Sequence, residues 1–397
     1  MKIAYVVINA NRREGTSRAV LEVAERLAEN HEVDLLARTV EDVDFQRVRW
    51  RRVSGPGWPE VGDFASFVWR CDRLLRQSDY DIVHAAGPNC TAADVYTIQT
   101  VHPVKRRIML EIGAHTDASI PRRLTRHLYD RAVLSTEAKA YRAHGPRGRV
   151  AYLPVSAGTR GELENEYPLG EALIREIPNG ADLDRFHPRH RAAARSDIRR
   201  QHGMEEDDFV AVFSGGDWVR KGLRIAAEAV AQSQTERARL LVVGHDPLVG
   251  EFRAGLERDG LSQRVVFAGF QKEVHRYYAA SDVMVFPTAY EAFSLATIEA
   301  AASGLPVLMP DVSGAHELVG HGQAGSLLPR TAEAFAAEID RLAEHPQDLD
   351  QLSKSARGHV EEHFHWDKIA AATESVYQEL LQQRQSTSEY VPAVGPT

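Results

Sequence analysis

The chain lacks the features that stabilise secreted proteins or anchor membrane proteins. It has two cysteines among 397 residues, Cys71 and Cys90, so a disulfide framework is excluded and a reducing compartment is expected. No run of about 18 apolar residues is present, which excludes an ordinary membrane-spanning helix. The apolar segment 1–8 is short, and Arg12 and Arg13 follow it, the reverse of the order in a signal peptide. These absences predict a cytoplasmic protein.

Several common catalytic centres are missing as well. The chain has 17 histidines and two cysteines, yet they do not show the spacing of zinc ligands, and no Cys–His pair stands out. No Ser-His-Asp order is apparent, and no carboxylate is an obvious covalent nucleophile. The sequence therefore offers no catalytic triad and no His/Cys metal cluster as a starting hypothesis.

Charge is distributed unevenly along the chain. The formal net charge is −8, but residues 1–150 carry more basic than acidic side chains and the remainder is strongly acidic. The basic clusters predict a face that meets an anionic partner, such as phospholipid or a phosphorylated acceptor, with ordinary solvated surface as the alternative. Aromatic residues are not interleaved with them, so nucleic acid is not expected. The clusters are Arg47, Arg49, Arg51 and Arg52; Lys105, Arg106 and Arg107; and Arg122, Arg123 and Arg126.

Short apolar runs alternate with amphipathic helical patterns from one end of the chain to the other. Many runs are continuous and rich in Val and Ile, as strands buried on both faces are. The alternation therefore predicts an α/β fold with two Rossmann-like, doubly wound parallel sheets. The strand candidates are residues 2–8, 33–36, 80–85, 95–99, 149–154, 174–177, 208–214, 239–243, 264–268, 282–286 and 306–309.

A turn-forming segment marks the division between the two predicted domains. Residues 177–182 contain Pro and Asn-Gly, which are strong chain-turning signals. We therefore predict an N-terminal domain over residues 1–185 and a C-terminal domain over residues 186–365. The helical pattern of residues 366–385 is expected to pack back on the first domain, and the polar tail 386–397 to be disordered.

The segment 281–300 combines a predicted buried strand, a loop and a helix. Glu291 lies in the loop, and Glu299 lies eight positions later on the helix. Ligands bind at the carboxyl ends of strands in such sheets, and a helix N-terminus there suits phosphate. Eight helical residues rise about 12 Å, so we predict that Glu291 holds a sugar, Glu299 a ribose and the backbone of residues 293–295 the phosphates between them. Two solvated glutamates are the alternative.

This segment resembles the E-x7-E signature of the retaining glycosyltransferases of family 4, which have the two-domain GT-B fold. The resemblance covers nearly all of the second half, whereas the first half matches by architecture. It implies transfer of a hexose-type sugar from a nucleoside-diphosphate sugar to a hydroxyl acceptor, with the anomeric configuration kept. The other segments that carry the resemblance are 177–182 with Phe186 and Pro188, 265–270, 277–282, 302–307 and 313–319.

The loop 213–222 follows a predicted strand and precedes a helix. Its glycines let the backbone approach a ligand closely, and its adjacent arginine and lysine can neutralise a diphosphate. It resembles the family's basic donor loop, which implies that Arg220 and Lys221 stabilise the departing diphosphate in place of a metal; ordinary surface charges are the alternative. The residues predicted to bind the donor are Gly15, Gly215, Gly216, Arg220, Lys221, Phe270, Glu291, Ala292, Phe293, Ser294, Leu295 and Glu299.

One position in this loop departs from the family's pattern. Many members have an arginine five positions before the lysine, where this chain has Gly216. Asp217 followed by an adjacent Arg-Lys pair is similar to the bacterial lipopolysaccharide core glucosyltransferases, and so is the segment 94–96. The similarity favours a UDP-sugar as the donor.

The first half offers fewer motifs. Gly15 joins the first strand to the first helix and is predicted to lie at the mouth of the cleft, with a plain helix cap as the alternative. His102 follows a predicted strand and resembles the family's first-domain histidine, which contacts the donor sugar; His84 is the runner-up, and Asn89 is a further polar candidate. The predicted catalytic residues are His102, Glu291, Arg220 and Lys221.

No metal and no cofactor other than the donor substrate is expected. Enzymes of the other nucleotide-sugar fold use an Asp-x-Asp metal site. In this chain one pair with that spacing lies in the predicted interdomain turn, and the others lie in polar segments without a preceding strand. We therefore reject all three as metal ligands: Asp42/Asp44, Asp182/Asp184 and Asp348/Asp350.

Two alternatives to a glycosyltransferase remain open from the sequence. One is a GT-B nucleotide-sugar epimerase, and the other is a nucleotide-sugar-binding subunit without catalysis. The acceptor also remains open among a glycan, a glycolipid and a small molecule. The basic clusters add the expectation of a peripheral contact with the inner membrane face.

Overall fold

The computed structural model describes residues 1–114, 120–142, 144–320 and 322–389, with the backbone alone described at 120–123 and 386–389. The chain divides into two compact units. Unit 1 comprises Met1–Arg107, His115–Pro178 and Trp366–Thr397, and unit 2 comprises Ile108–Ala114 and Asn179–His365.

Unit 1 is built on a seven-stranded parallel sheet. The strand order is β11-β10-β7-β6-β1-β3-β5. From β1 the chain first adds β3 and β5 on one side, and it then returns to add β6, β7, β10 and β11 on the other side. Loops at the carboxyl ends of β1 and β6 therefore border a crevice of the kind in which doubly wound sheets bind ligands. The strands of this sheet are β1 (Lys2–Val6), β3 (Glu32–Ala37), β5 (Arg49–Arg52), β6 (Ile82–Ala86), β7 (Val95–Ile98), β10 (Ala151–Pro154) and β11 (Leu173–Ile174). Two separate two-stranded sheets are formed by β2 (Asn9–Ala10) with β4 (Thr39–Val40) and by β8 (His144–Gly145) with β9 (Gly148–Arg149).

The helices in the first half follow the strands as crossover connections. In the first of them Val20, Val23 and Leu27 repeat at helical spacing and are all buried, which is the apolar stripe that packs an amphipathic helix on a sheet. The helices are α1 (Gly15–Leu27), α2 (Glu60–Arg76), α3 (His102–Glu111), α4 (Ile120–Ala140) and α5 (Ala157–Glu166).

Unit 2 is built on a six-stranded parallel sheet with the order β14-β13-β12-β15-β16-β17. Its direction of growth reverses between the neighbouring strands β12 and β15, so the loops that follow these two strands flank a second crevice. The strands are β12 (Phe209–Ser214), β13 (Ala238–Val243), β14 (Val265–Gly269), β15 (Val283–Val285), β16 (Val307–Met309) and β17 (Gly325–Leu327).

Helices cover this second sheet, and short 3₁₀ turns at Pro188–His190 and Ser262–Arg264 precede α6 and β14. The last helix of the chain, α15, belongs to unit 1. The helices are α6 (Arg191–Gln201), α7 (Trp218–Lys221), α8 (Leu223–Gln232), α9 (Val249–Arg258), α10 (Val274–Ala279), α11 (Leu295–Ala302), α12 (Ala315–Val319), α13 (Ala332–Glu344), α14 (Pro346–His363) and α15 (Trp366–Glu389).

A buried polar network holds α15 on the sheet of unit 1. The hydroxyl of Tyr377 lies 2.6 Å from the hydroxyl of Tyr5 and 2.6 Å from Nδ1 of His84. The other ring nitrogen of His84 lies 2.7 Å from Oγ1 of Thr97. Burial lowers the pKa of His84 to about 3, so the ring is neutral near pH 7 and exchanges hydrogen bonds rather than carrying charge.

We expect Tyr377→Phe to lower the free energy of unfolding of the chain by about 1–3 kcal/mol, because it leaves buried polar groups without a partner. The control is Tyr141→Phe in the same unit. The Tyr141 hydroxyl is buried and has no hydrogen-bond partner among the described residues, so its removal should cost nothing. Urea unfolding of both variants measures the difference, and equal effects would contradict a stabilising role for the network.

Candidate active site

Two loops of unit 2 meet at the crevice beside β12 and β15. The loop after β12 carries Gly215, Gly216 and Asp217 and leads into α7. The loop after β15 carries Glu291 and leads into α11. The backbone N–H of Ala289 donates a 2.8 Å hydrogen bond to the carbonyl of Arg220, so the two loops are joined by their main chains.

Glycine is required in the loop after β12 because other backbone and side-chain atoms lie against it. Gly215 has a φ of 119°, and a side chain there would collide with Nζ of Lys221. A Cβ on Gly216 would lie 2.8 Å from the carbonyl oxygen of His245. The arginine that many family members have at this position therefore does not fit this loop. The departure from the family's pattern at Gly216 has a steric reason.

The start of α7 fixes the loop from the other side. The backbone N–H of Trp218 donates to Asp246 at 2.9 Å, and the Trp218 indole N–H donates to the carbonyl of Gly215 at 2.8 Å. Trp218 is fully buried. The adjacent cations are therefore presented from an anchored turn rather than from a free loop.

Arg220 is engaged within the protein. Its guanidinium donates to the carbonyl of Tyr290 at 2.5 Å and to the carboxylates of Glu291 at 3.1 Å and Asp217 at 2.6 Å. Burial opposes its charge, but Glu291 and Asp217 outweigh that effect and raise the pKa of Arg220. In this arrangement Arg220 positions Glu291, a role that the sequence prediction of a diphosphate contact did not include.

Lys221 is the cation that this site leaves available. Its ammonium lies 5.2 Å from the centroid of the Phe286 ring, and among the described residues it has no hydrogen-bond or ion-pair partner. Desolvation by burial lowers its pKa, and the nearby Arg220 charge adds to the effect, while Glu291 and Glu299 oppose it. A desolvated cation without a partner stabilises an anion placed beside it.

The loop after β15 presents the N-terminus of α11. Ser294 is the N-cap, and its side chain makes no capping hydrogen bond, so the N–H groups of the first turn have no partner within the helix. Glu299 lies in the second turn and is buried. Because α11 begins at Leu295, residues 291–294 are not helical, and the helical rise expected between the two glutamates was wrong for the first half of that span.

Two residues that the sequence prediction missed shape this loop. Asn179 donates a 2.8 Å hydrogen bond from its side chain to the carbonyl of Phe293. Gly314 has a φ of 80°, and a Cβ there would lie 2.6 Å from the carbonyl of Ala292. Both lie far from the motif in sequence, although Asn179 falls in the predicted interdomain turn, so only the fold could reveal the contact.

Phe270 lies at the same edge of the sheet. It directly follows β14, after Gly269 with a φ of 71°, and its side chain is 56% exposed. An exposed aromatic ring at the carboxyl edge of a parallel sheet is available for stacking on a planar ligand group.

Unit 1 has a cavity of about 440 Å³ at the carboxyl edge of its sheet. His102 and Asn89 line it, as do Thr16 and Ser17 of α1, whereas the neighbouring Gly15 opens α1 without lining the cavity. The runner-up His84 lies inside β6 and is buried in the network with Tyr377. Of the two candidate histidines, His102 therefore lines the cavity, whereas His84 is part of the buried network.

Glu137 is a third residue that the sequence prediction missed. Its carboxylate is fully buried, and Oε2 lies 3.1 Å from Nδ1 of His102. The backbone N–H of His102 donates to Oε1 of Glu137 at 3.4 Å. A buried carboxylate this close to Nδ1 favours one orientation of the ring.

The first basic cluster is largely paired within unit 1. Arg49 and Arg51 form ion pairs with the buried Asp34, and Arg47 pairs with Glu29 at 2.9 Å. Much of the positive charge at this cluster is therefore compensated locally. The predicted cluster residues Arg122 and Arg123 lie outside the described side chains. Within the described ranges, no helix is long and apolar enough to cross a membrane.

Comparisons with known proteins agree with the fold. The family model Glycosyltransferase Family 4 matches residues 13–185, and the model Glycosyl transferases group 1 matches residues 208–345. The D-inositol 3-phosphate glycosyltransferase of Streptomyces bingchenggensis is 29% identical over 333 residues, which span 77% of this chain and 68% of the relative.

Solved structures share the architecture over nearly the full chain. WaaG, a glycosyltransferase involved in lipopolysaccharide biosynthesis, has a TM-score of 0.76 at 21% identity and is covered to 98%, with 93% of this chain covered. HepE of Anabaena, solved in complex with UDP and glucose, has a TM-score of 0.72 at 19% identity, with 96% of this chain and 100% of HepE covered.

The two sheets thus belong to a GT-B fold, as predicted. The chain belongs to glycosyltransferase family 4, the group 1 glycosyltransferases. It is a glycosyltransferase that uses a nucleotide-sugar donor.

We expect Gly215→Ala to lower the free energy of unfolding by about 1–3 kcal/mol, because alanine is strained at this positive φ, and to displace the Lys221 ammonium. The control is Gly255→Ala in α9, where an added Cβ meets nothing closer than 3.5 Å. There alanine should stabilise the helix by up to about 1 kcal/mol. Thermal unfolding of both variants tests this, and a neutral Gly215→Ala would contradict the steric argument.

Proposed function

We propose that the protein transfers a hexose-type sugar from a UDP-sugar to a hydroxyl acceptor, with retention of the anomeric configuration and without an essential metal. The observation that carries the proposal is the unpartnered, desolvated ammonium of Lys221 beside the loop that opens α11. The UDP bound by HepE supports UDP as the nucleotide, as does the similarity of the Asp217-Arg-Lys pattern to lipopolysaccharide core enzymes.

The leaving diphosphate is the group whose charge must be stabilised. Cleavage of the bond between the sugar and phosphate leaves negative charge on the diphosphate oxygens. In the proposal, the first-turn N–H groups of α11 and the ammonium of Lys221 hold these oxygens. Fixed donors of this kind cost no reorganisation when the charge develops, and they replace the metal that other nucleotide-sugar enzymes use.

The two glutamates are assigned to the two ends of the donor. Glu291, held by Arg220, accepts hydrogen bonds from hydroxyls of the sugar. Glu299 accepts from the ribose, and Phe270 stacks on the base. For His102, the proposal keeps the role that the family resemblance implies, a hydrogen bond to the transferred sugar, with Glu137 orienting the ring. Because carboxylates accept but do not donate, both glutamates select hydroxyl-bearing partners.

We expect Lys221→Ala to weaken UDP binding at least tenfold, because it removes a charge-assisted contact. The matched control is Lys354→Ala, since Lys354 on α14 is exposed and paired with Asp350 at 2.6 Å. Because burial lowers the pKa of Lys221, UDP affinity should fall with rising pH earlier than an ordinary lysine would predict, and Lys221→Ala should abolish that dependence. Thermal shift against UDP concentration measures both effects. Equal affinities in the two variants would remove Lys221 from the donor site.

The stereochemical outcome tests the retaining reaction. Proton NMR of the first-formed product, recorded before mutarotation, should show the anomeric configuration of the donor. An inverted product would overturn the retaining mechanism. Release of free nucleotide with an isomerised sugar and no acceptor would instead identify an epimerase, and binding of UDP-sugar without any turnover would identify a binding subunit.

A further inference from the structure

The unit 1 cavity has an acidic wall. Within the described part of the chain, the ionisable side chains that line it are Glu14, Arg38, Glu60, Asp63 and His102, with Tyr129 alongside. Three of these carry negative charge near pH 7, and one carries a permanent positive charge. Any ligand of this cavity is therefore selected by charge as well as by shape.

The one arginine is neutralised inside the wall. A guanidinium N–H of Arg38 forms an ion pair with Oδ2 of Asp63, and another donates to the backbone carbonyl of Asp63 at 3.1 Å. The second carboxylate oxygen of Asp63 accepts from the N–H of Gly57 at 2.9 Å. Both side chains are mostly buried, at 15% and 10% exposure. A phosphate would have to displace Asp63 to gain the charge of Arg38, which is costly for a buried pair.

The two remaining carboxylates are uncompensated. Glu14 precedes α1 and Glu60 opens α2, and neither has an ion-pair partner among the residues that the structure describes. Tyr129 lines the same cavity. Burial raises the pKa of Tyr129, and the charges of Glu60 and Asp130 add to this effect while Arg38 opposes it. The two unpaired carboxylates therefore disfavour binding of an anionic ligand in this cavity.

The rest of the lining suits hydroxyl groups. Amide and hydroxyl side chains supply both donors and acceptors, and the volume of about 440 Å³ falls in the range of small-molecule sites. These neutral polar side chains are Asn9, Thr16, Ser17, Asn89, Gln99 and Thr100.

We infer that this cavity binds the acceptor as an uncharged or amino-substituted polyol and discriminates against phosphate esters. The inference rests on the proposed function, because it assumes that the unit 1 cavity receives the acceptor. A phosphate monoester brings a charge of about −1.5 to −2, which would face Glu14 and Glu60 with no unpaired arginine or lysine among the described lining residues to offset it. An ammonium group would instead be attracted. The chain thus differs in acceptor charge from relatives named for inositol 3-phosphate.

Three probes that differ mainly in charge test the inference: glucosamine, glucose and glucose 6-phosphate. Saturation-transfer NMR on the full chain in the presence of UDP measures their dissociation constants. We expect glucose to bind at least about tenfold more tightly than glucose 6-phosphate, and glucosamine to bind at least as tightly as glucose. Tighter or equal binding of glucose 6-phosphate overturns the inference, and so does the failure of all three probes to bind.

Charge-removing variants identify the residues responsible. Glu60→Gln and Glu14→Gln should each reduce the preference for glucose over glucose 6-phosphate by roughly fivefold, as expected for one exposed charge a few ångströms away. The control is Glu171→Gln, an exposed acid of unit 1 that does not line the cavity, and it should leave the preference unchanged. An unchanged preference in both lining variants would overturn the role of the acidic wall.

A further variant tests the neutralised arginine. Asp63→Asn releases Arg38 and should move the preference toward glucose 6-phosphate by more than either glutamate variant does. Because Asp63 is buried, thermal unfolding is used to check that the Asp63→Asn variant folds. If it does not fold, the inference is tested by the Glu14 and Glu60 variants alone. UDP binding is measured in parallel on every variant. Intact UDP binding with the wrong acceptor preference refutes this inference alone, whereas lost UDP binding in the wild type refutes the proposed donor site.

Discussion

The arrangement of the donor crevice depends on the guanidinium of Arg220. It reaches from the turn after β12 to Glu291 in the loop after β15, and the main chains of the same two segments are joined through Ala289. Without this bridge, Glu291 would be a carboxylate on an irregular loop with no fixed direction. With it, the carboxylate oxygens of Glu291 have a fixed orientation in the absence of a ligand, and orientation that precedes binding lowers the entropy cost of binding.

Because Arg220 is hydrogen-bonded within the protein, Lys221 is the cation of this turn that can contact a ligand. Two adjacent cations would repel each other if both were unpaired, and the carboxylates around Arg220 remove that problem for one of them. Lys221 then remains as a compact, partly desolvated charge, packed so closely on Gly215 that no larger residue fits between them. Gly215 is thus explained by its positive φ and by the position of one ammonium group, and Gly216 by the carbonyl oxygen of His245.

Much of the fold was predictable from the sequence because parallel strands buried on both faces have a strong apolar signal. Each of the eleven strand candidates corresponds to a strand of one of the two sheets. Strand β5 was missed because its sequence is Arg-Trp-Arg-Arg and it lies exposed at a sheet edge. The same arginines were interpreted as a basic cluster, whereas two of them pair with Asp34.

The local motifs of the site could be predicted from the sequence, but the contacts between residues far apart in the chain could not. The spacing of Glu291 and Glu299 and the basic turn identified the crevice, because both are local in sequence. The pairing of Arg220 with Glu291, of Glu137 with His102 and of Gly314 with the α11 loop joins segments far apart in the chain. A single sequence carries no signal for such pairs, since each residue alone has an ordinary surface or core explanation.

The buried hydroxyl of Tyr377 has a consequence for the order in which the protein assembles during synthesis. Tyr5 on β1 and His84 on β6 are synthesised before residues 179–365. Their partner Tyr377 lies on α15 and is synthesised after that segment. Until α15 is synthesised, the polar groups of Tyr5 and His84 and the apolar surface that α15 covers have no partner in the chain. Within this chain, unit 1 begins before unit 2 and is completed after it, so the unit that spends longest incomplete during synthesis is the one that carries the cavity lined by His102.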